Sequence, residues 1–227
     1  MSYRITGTGS CIPDIAKKNS DFLKNKFLDT DGGKFQSSNS EIIDKFNSIT
    51  GIYERRYAPD EINCSDLAAV AAGLAINDSK LDQETLDYII VAHNTGDISC
   101  SSGQVDTLPS VASKVKAKLK IKNPNCVAYD IICGCPGWVE GIIQAKSFIK
   151  SGMAEKCLVI GCDTLSRILD ENDRDSMIYA DGSGAIVLES DSSYDGGILS
   201  HKSATFTYDG ENDFIFYGTS YCLLYTS

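Results

Sequence analysis

Short apolar runs rich in Val and Ile recur along the chain, and the segments between them carry apolar residues at helical spacing. That alternation is the pattern of an α/β protein, a layered, mixed and mostly parallel sheet with helices on its faces. Strands are expected at Arg4 to Gly9, Asp87 to His93, Cys126 to Ile132, Lys156 to Gly161, Gly184 to Glu189 and Gly197 to His201. Between them, Ser65 is expected to cap a helix burying Leu67, Val70, Ala71 and Leu74, the i, i+3, i+4, i+7 set of a core-facing stripe. A helix from Ser40 carries Ile42, Phe46 and Ile49 and stops near Gly51. Another has Pro136 in its first turn, buries Trp138, Ile142, Ala145 and Ile149, and ends at Lys150, Ser151 and Gly152.

With 227 residues, 42% of them hydrophobic and 23% charged, the chain has material for one large core or two small ones. This composition excludes disordered, collagenous and disulfide-scaffold classes. Lys and Arg number 21 against 31 Asp and Glu, a net charge of −10, which is the wrong sign for a nucleic-acid partner. No apolar run approaches the roughly 18 residues of a membrane span, and Met1 to Ser20 lacks the pattern of a signal peptide, so a cytosolic protein with no membrane partner is expected. Several of the nine cysteines, Cys126, Cys157 and Cys162 among them, sit in apolar stretches where a free thiol acts as a small hydrophobe; disulfides are not expected. Asp29 to Asn39 reads as a surface loop. Ser113 to Lys122 alternates basic and apolar residues, but Leu108, Val111, Val115 and Leu119 fit a helical stripe, and the lysines around it are either solvated or a docking patch for an acidic partner. Cys222 to Ser227 can be encoded by the end of a transposon adapter used for sequencing libraries, so the native sequence is expected to depart from this one near Tyr221.

The chemistry centres on Asp130-Ile-Ile-Cys-Gly-Cys-Pro-Gly-Trp138. Cys135 falls between an apolar strand and a Pro-started helix, where unpaired backbone N–H groups and the positive end of the helix dipole favour a thiolate nucleophile. Gly134 and Gly137 leave room for close approach of substrate or backbone. The competing reading is a core cysteine at a strand end. No second Cys/His pair at ligand spacing accompanies Cys133 and Cys135, so no metal site is expected, and a papain-type site is set aside because Pro-Gly intervenes before the Trp. His93 and His201, the only histidines, lie in no context that marks a general base for Cys135.

Taken in order, Gly7-Thr-Gly-Ser-Cys-Ile-Pro13, Thr50-Gly-Ile-Tyr-Glu-Arg-Arg56, Leu108-Pro-Ser110, Ala128-Tyr-Asp130 leading to Cys135, Asp173-Arg174 and Asp181-Gly-Ser-Gly-Ala185 resemble the N-terminal half of the β-ketoacyl-acyl-carrier-protein synthase III family. The resemblance implies a thiolase-like fold, with residues 1–190 as the first of two duplicated halves, 191–221 starting the second, and 222–227 as the adapter-derived end. It implies an acyltransferase of fatty acid or related secondary-product biosynthesis that needs no cofactor and takes acyl-CoA and malonyl-acyl-carrier protein as substrates. Cys135 falls on the family's acyl-accepting cysteine, Arg174 on an arginine that packs against the coenzyme A adenine, and Leu108 on the position that closes the acyl pocket of the dimer mate. Asp181 to Ala185 resembles a glycine-rich turn supporting the active-site sheet. For Arg174 a surface ion pair with Asp173 or Asp175 is the alternative.

The family's His and Asn that assist decarboxylation belong to the second half, which leaves a 227-residue fragment inactive by itself. The implied partners are an acyl carrier protein and a second copy in a homodimer. Two departures stand out: Lys45 and Phe46 lie where a tryptophan that sandwiches the adenine is usual, with Ile49 in place of an arginine, and the Asp29 to Asn39 loop is long. They leave open a carrier-protein or unusual acyl donor. A thiolase, a hydroxymethylglutaryl-CoA-synthase-like enzyme and a non-catalytic partner subunit are the alternatives on the same fold.

Overall fold

A computed structural model describes residues 2–29 and 32–209; the expected adapter-derived end, 222–227, lies outside them. The elements run β1 (Tyr3–Cys11), β2 (Ile15–Lys18), α1 (Asn39–Thr50), β3 (Glu54–Tyr57), α2 (Cys64–Ser79), β4 (Tyr88–His93), β5 (Asp97–Ile98), β6 (Val105–Asp106), α3 (Val111–Lys118), β7 (Val127–Ile132), α4 (Gly137–Ser151), β8 (Lys156–Thr164) and β9 (Asp181–Ser190). They form two compact units. The first takes residues 2–15, Arg56–Arg167 and Ala180–Leu199; the second takes Ala16–Arg55, Ile168–Tyr179 and residues 200–209.

The first unit is built on a five-stranded sheet in the order β1-β9-β8-β4-β7. β4 pairs in parallel with β7 and β8, whereas β9 runs antiparallel to both β8 and β1, so the sheet is mixed. Side chains of a strand alternate between faces. Ile89, Val91, Leu158 and Ile160 accordingly meet α2 and α3, while Ile90, Cys157 and Val159 meet Ile142, Ala145 and Ile149 of α4. Cys126, Cys157 and Cys162 are buried in these cores as expected, and Cys64 Sγ lies 3.0 Å from Cys162 Sγ as two free thiols.

Three expectations need correction. The strand expected at Gly197 to His201 does not form: Gly197 has φ +110°, and Tyr3 Oη takes over Ile198, donating to its carbonyl at 3.2 Å and accepting its N–H at 3.1 Å. The helix expected at Ser65 begins after Asn63 and is phased differently, with Leu67, Ala68, Ala71, Ala72 and Ala75 buried while Val70 and Leu74 are about half exposed. The cause is the close approach of β1, where a Cβ on Gly7 or Gly9 would collide with the carbonyl oxygens of Ala75 and Ala71. Only alanines fit a face pressed that near to a strand, so the larger side chains turn outward. The lysines of α3 are tied into the fold: Lys116 Nζ donates to the carbonyls of Asn123 and Cys126, Lys118 pairs with Asp66 at 2.6 Å, and Lys114 bridges Asp97 and Asp106. The stripe itself starts at Val111, because Leu108 precedes the helix.

In the second unit α1 starts at the Ser38 cap, whose side chain and Glu41 form a reciprocal capping box, and stops at Gly51, whose φ of +70° suits glycine. Its core joins Phe22, Phe27, Ile43 and Met177. Arg55 is buried here, donating to Met177 O, Lys17 O and Asn19 Oδ1, with its guanidinium 4.9 Å from the Phe22 ring centre. Asp29 accepts the Gly33 N–H at 2.7 Å, closing the start of the long loop.

Replacing Gly9 by alanine tests the β1–α2 approach: Gly9→Ala is expected to lower unfolding stability in urea by about 3 kcal/mol through overpacking. Gly184→Ala, with open space around the added methyl, is expected to change it by less than about 0.5 kcal/mol.

Candidate active site

Strand β7 delivers the chain to a turn in which Gly134 takes φ +56° and its carbonyl accepts the Gly137 N–H at 3.0 Å. Pro136 is the N-cap of α4, and Gly152 ends the helix at φ +80°, close to the expected punctuation. Cys135 precedes the cap, and both Cys133 and Cys135 are exposed, so Cys135 is not a core cysteine. Gly137 serves packing: a Cβ there would lie 3.2 Å from Ala92 Cβ, and one on Gly141 would lie 2.9 Å from Val159. These glycines bring α4 onto β4 and β8; the need at Gly134 is its backbone conformation. The result is a thiol presented to solvent at the start of a fifteen-residue helix, whose first-turn N–H groups have no intrahelical acceptors.

The surroundings of that turn are fixed by buried polar groups. Asn94 gives its N–H and Nδ2 to the Asp163 carboxylate at 2.9 and 2.7 Å, and its Oδ1 would stand 3.7 Å from a Cβ on Gly134. Burial pushes the Asp163 carboxyl above its ordinary range, outweighing the hydrogen bonds from Asn94. Asp130 on β7 accepts Val111 N at 2.7 Å, Ala112 N at 2.8 Å and His93 Nε2 at 3.0 Å. Burial acts to raise this carboxyl, but the bonds from His93, Ala112 and Val111 outweigh it and hold it below the usual range. His93 is 2% exposed and committed to Asp130, a structural histidine. Through Asp130 the strand leading to Cys135 is joined to the start of α3 and hence to the segment carrying Leu108, which is 84% exposed.

Asp181 opens strand β9, so the segment Asp181 to Ala185 is strand, not turn. The Asp181 carboxylate accepts the N–H groups of Ala58 and Ser166 and the Ser166 hydroxyl. It therefore ties the start of β9 to two loops.

In the second unit Arg174 begins a 3-10 turn, Arg174–Ile178. Its guanidinium lies 4.9 Å from the Phe35 ring centre and its Nε is 3.6 Å from Asp175 Oδ1. Arg174 thus makes an exposed ion pair with Asp175 and lays its guanidinium over the Phe35 ring. A cavity of about 390 Å³ is lined by Phe35, Ile42, Phe46 and Met177, with Lys45 and Arg174 among its walls. Phe35 went unnoticed in the sequence because it lies in a polar loop, with no periodicity to mark it.

Residues 129–206 match the family described as 3-Oxoacyl-[acyl-carrier-protein (ACP)] synthase III. A β-ketoacyl-[acyl-carrier-protein] synthase III of Ehrlichia ruminantium (strain Welgevonden) is 36% identical over 227 residues, covering 100% of this chain and 60% of the relative. One from Neisseria gonorrhoeae (strain NCCP11945) is 39% identical over 190 residues, covering 83% and 52%. The chain is thus similar to synthase III proteins over the part of their length that it covers. Its thiolase-like fold is matched by the 3-oxoacyl-[acyl-carrier-protein] synthase III of Aquifex aeolicus VF5, with a TM-score of 0.67 and 33% identity over 84% of this chain and 55% of that one. The synthase III of Pseudomonas aeruginosa PAO1 gives a TM-score of 0.68 and 27% identity over 88% and 54%. The chain spans less than two thirds of the length of these curated relatives. Among its described residues, no helix is long and apolar enough to cross a membrane.

The depressed Asp130 carboxyl gives a pH test. Stability from this group is fully present above the unfolded value of about 4 and is lost as pH falls through the lower native value. Asp130→Asn is expected to cost about 2 kcal/mol at pH 7 and to flatten the loss of unfolding free energy below pH 4, as measured by urea titration at each pH.

Proposed function

We propose that Cys135 is the acyl-accepting nucleophile of a β-ketoacyl-acyl-carrier-protein synthase III. The observation that carries the reading is the exposed thiol of Cys135, on the Gly134 turn at the start of α4 and at the carboxyl edge of the parallel strands. The Cys135 sulfur attacks the carbonyl carbon of an acyl thioester. The tetrahedral oxyanion collapses, the bond to the leaving sulfur breaks, and the thiol proton passes to the departing thiolate. The Cys135 N–H contributes to stabilising the oxyanion. Malonyl-acyl-carrier protein then loses carbon dioxide, and its carbanion attacks the acyl-cysteine carbonyl, forming a C–C bond and releasing the Cys135 thiolate. By resemblance to the family, a His and an Asn outside this chain assist the decarboxylation.

The cavity at Arg174 and Phe35 supports an acyl-CoA donor. Phe35 and Phe46 supply apolar ring surface for a purine, and Lys45 and Arg174 supply positive charge for phosphates. Phe35 thus offers an aromatic surface in a chain that departs from the family's tryptophan. Leu108 closes the acyl pocket of the other subunit in a homodimer. Edge strand β7 is the contact, for its outer edge is uncovered among the described residues, and Val127 and Ile132 are 47% and 70% exposed. The reaction runs in the cytosol, in fatty acid or related secondary-product synthesis.

Incubation of the protein, at the full length its source gene encodes, with radiolabelled acyl-CoA is expected to label Cys135 and to yield β-ketoacyl product with malonyl-acyl-carrier protein. Cys135→Ser abolishes both, and label retained on another thiol would overturn the assignment. Arg174→Ala is expected to raise KM for acyl-CoA about tenfold, a loss of about 1.4 kcal/mol, with a much smaller change in kcat.

A further inference from the structure

Between β4 and α3 the chain makes a small hairpin, β5 and β6, before it reaches Leu108. Asp97 and Asp106 are direct partners across its antiparallel pair. Two carboxylates facing each other across strands repel and would part the hairpin if nothing lay between them. Lys114, one turn into α3, lies between them. Its Nζ is 3.1 Å from Asp97 Oδ2 and 2.9 Å from Asp106 Oδ2, and donates to the Asp106 carbonyl at 3.0 Å.

The two carboxylates differ in how they are otherwise held. Asp97 is 7% exposed and also accepts the N–H and hydroxyl of Ser65 in α2, at 2.7 and 2.9 Å. That strand is further fixed by Ile98, fully buried, whose carbonyl accepts from Arg167 at 2.9 Å. The Asp106 side chain is 60% exposed, and the residues that follow it to Pro109 are exposed. Lys114 therefore ties a loose strand to a fixed one. The connection reaches Leu108 directly, since its backbone N–H also interacts with the Asp106 carboxylate. The side chains of Lys114 and Asp97 are 13% and 10% exposed, so that ion pair is shielded from solvent more than a surface pair is.

We propose that Lys114 is a positioning residue that sets acyl-chain selectivity: by bridging Asp97 and Asp106 it holds the hairpin closed and fixes where Leu108 projects. The proposal rests on the reading of Leu108 as the residue that closes the partner's acyl pocket. Releasing the clamp lets the Leu108 segment retreat, so the pocket accepts longer chains, a change that lost stability alone does not produce.

The test compares kcat/KM for eight-carbon and two-carbon acyl-CoA in the full-length enzyme. Lys114→Met is expected to raise the eight-to-two-carbon ratio at least fivefold, in the same direction as Leu108→Ala, and Lys114→Arg, which keeps the charge between the carboxylates, retains the original ratio. Because a ratio is read within one preparation, partial unfolding of a variant cancels. If Lys114→Met misfolds, Asp106→Asn, which weakens the tie at the exposed strand, is expected to move the ratio the same way. An unchanged ratio in the folded Lys114 variant, or in Asp106→Asn where that variant replaces it, overturns the clamp when Leu108→Ala does shift the ratio. If Leu108→Ala shifts nothing, the reading of Leu108 fails and the proposal with it. A wild-type enzyme that never acylates Cys135 shows the failure of the proposed function itself, before any variant is compared.

Discussion

Four partly or fully buried aspartates, three on the central sheet and one on the neighbouring hairpin, organise the structure around them by the need to compensate each. A carboxylate drawn out of water is costly unless hydrogen bonds or a cation replace its hydration. Asp130 takes two backbone N–H groups and His93, and Asp163 takes both donors of Asn94. Asp181 takes Ala58 and Ser166, and Asp97 takes Ser65 and Lys114. Most of these partners lie on loops or at helix starts, so satisfying the charges also fixes those segments, Asn94 beside the Gly134 turn among them. The turn that presents the thiol is held by neighbours whose own positions leave little freedom.

The opposite requirement governs the helix layers. Where α2 meets β1 the backbones approach so closely that β1 carries glycine and α2 turns alanines inward, and α4 comes near β4 and β8 through Gly137 and Gly141. Polar anchoring at the strand ends and small-residue packing along the strands are complementary. The first locks loops in place, and the second lets the helices come near enough for their starts to reach those anchors. Cys135 sits where both apply, after a strand whose Asp130 is anchored and before a helix seated through Gly137 and Gly141.

Much of this was legible in the residues. Five of the six expected strands form, because runs such as Ile89, Ile90 and Val91 are apolar on both faces and need a covered sheet. The helix at Pro136 was legible through its proline start and glycine stop. The phase of α2 was not, since a large apolar residue normally marks the buried face, and here the nearness of β1 reverses the rule for Val70 and Leu74. The lysines of α3 looked like a solvated fringe, and nothing local could reveal that Asp97, Asp106 and two carbonyls lie within reach of their amines. At the candidate site the sequence singled out Cys135, Arg174 and Leu108 but passed over Phe35 and Asn94, whose importance comes from what they touch.

The sequence by itself determined the layered α/β class, the order of most strands and helices, and the cysteine at a helix start, because periodicity and helix punctuation are local properties of the chain. Only the tertiary structure decided that Cys135 is exposed, that Arg174 rests on Phe35, and that Lys114 stands between two opposed aspartates. These depend on approaches between residues far apart in the chain, where geometry and the cost of an uncompensated charge select the partners and no local pattern records the choice.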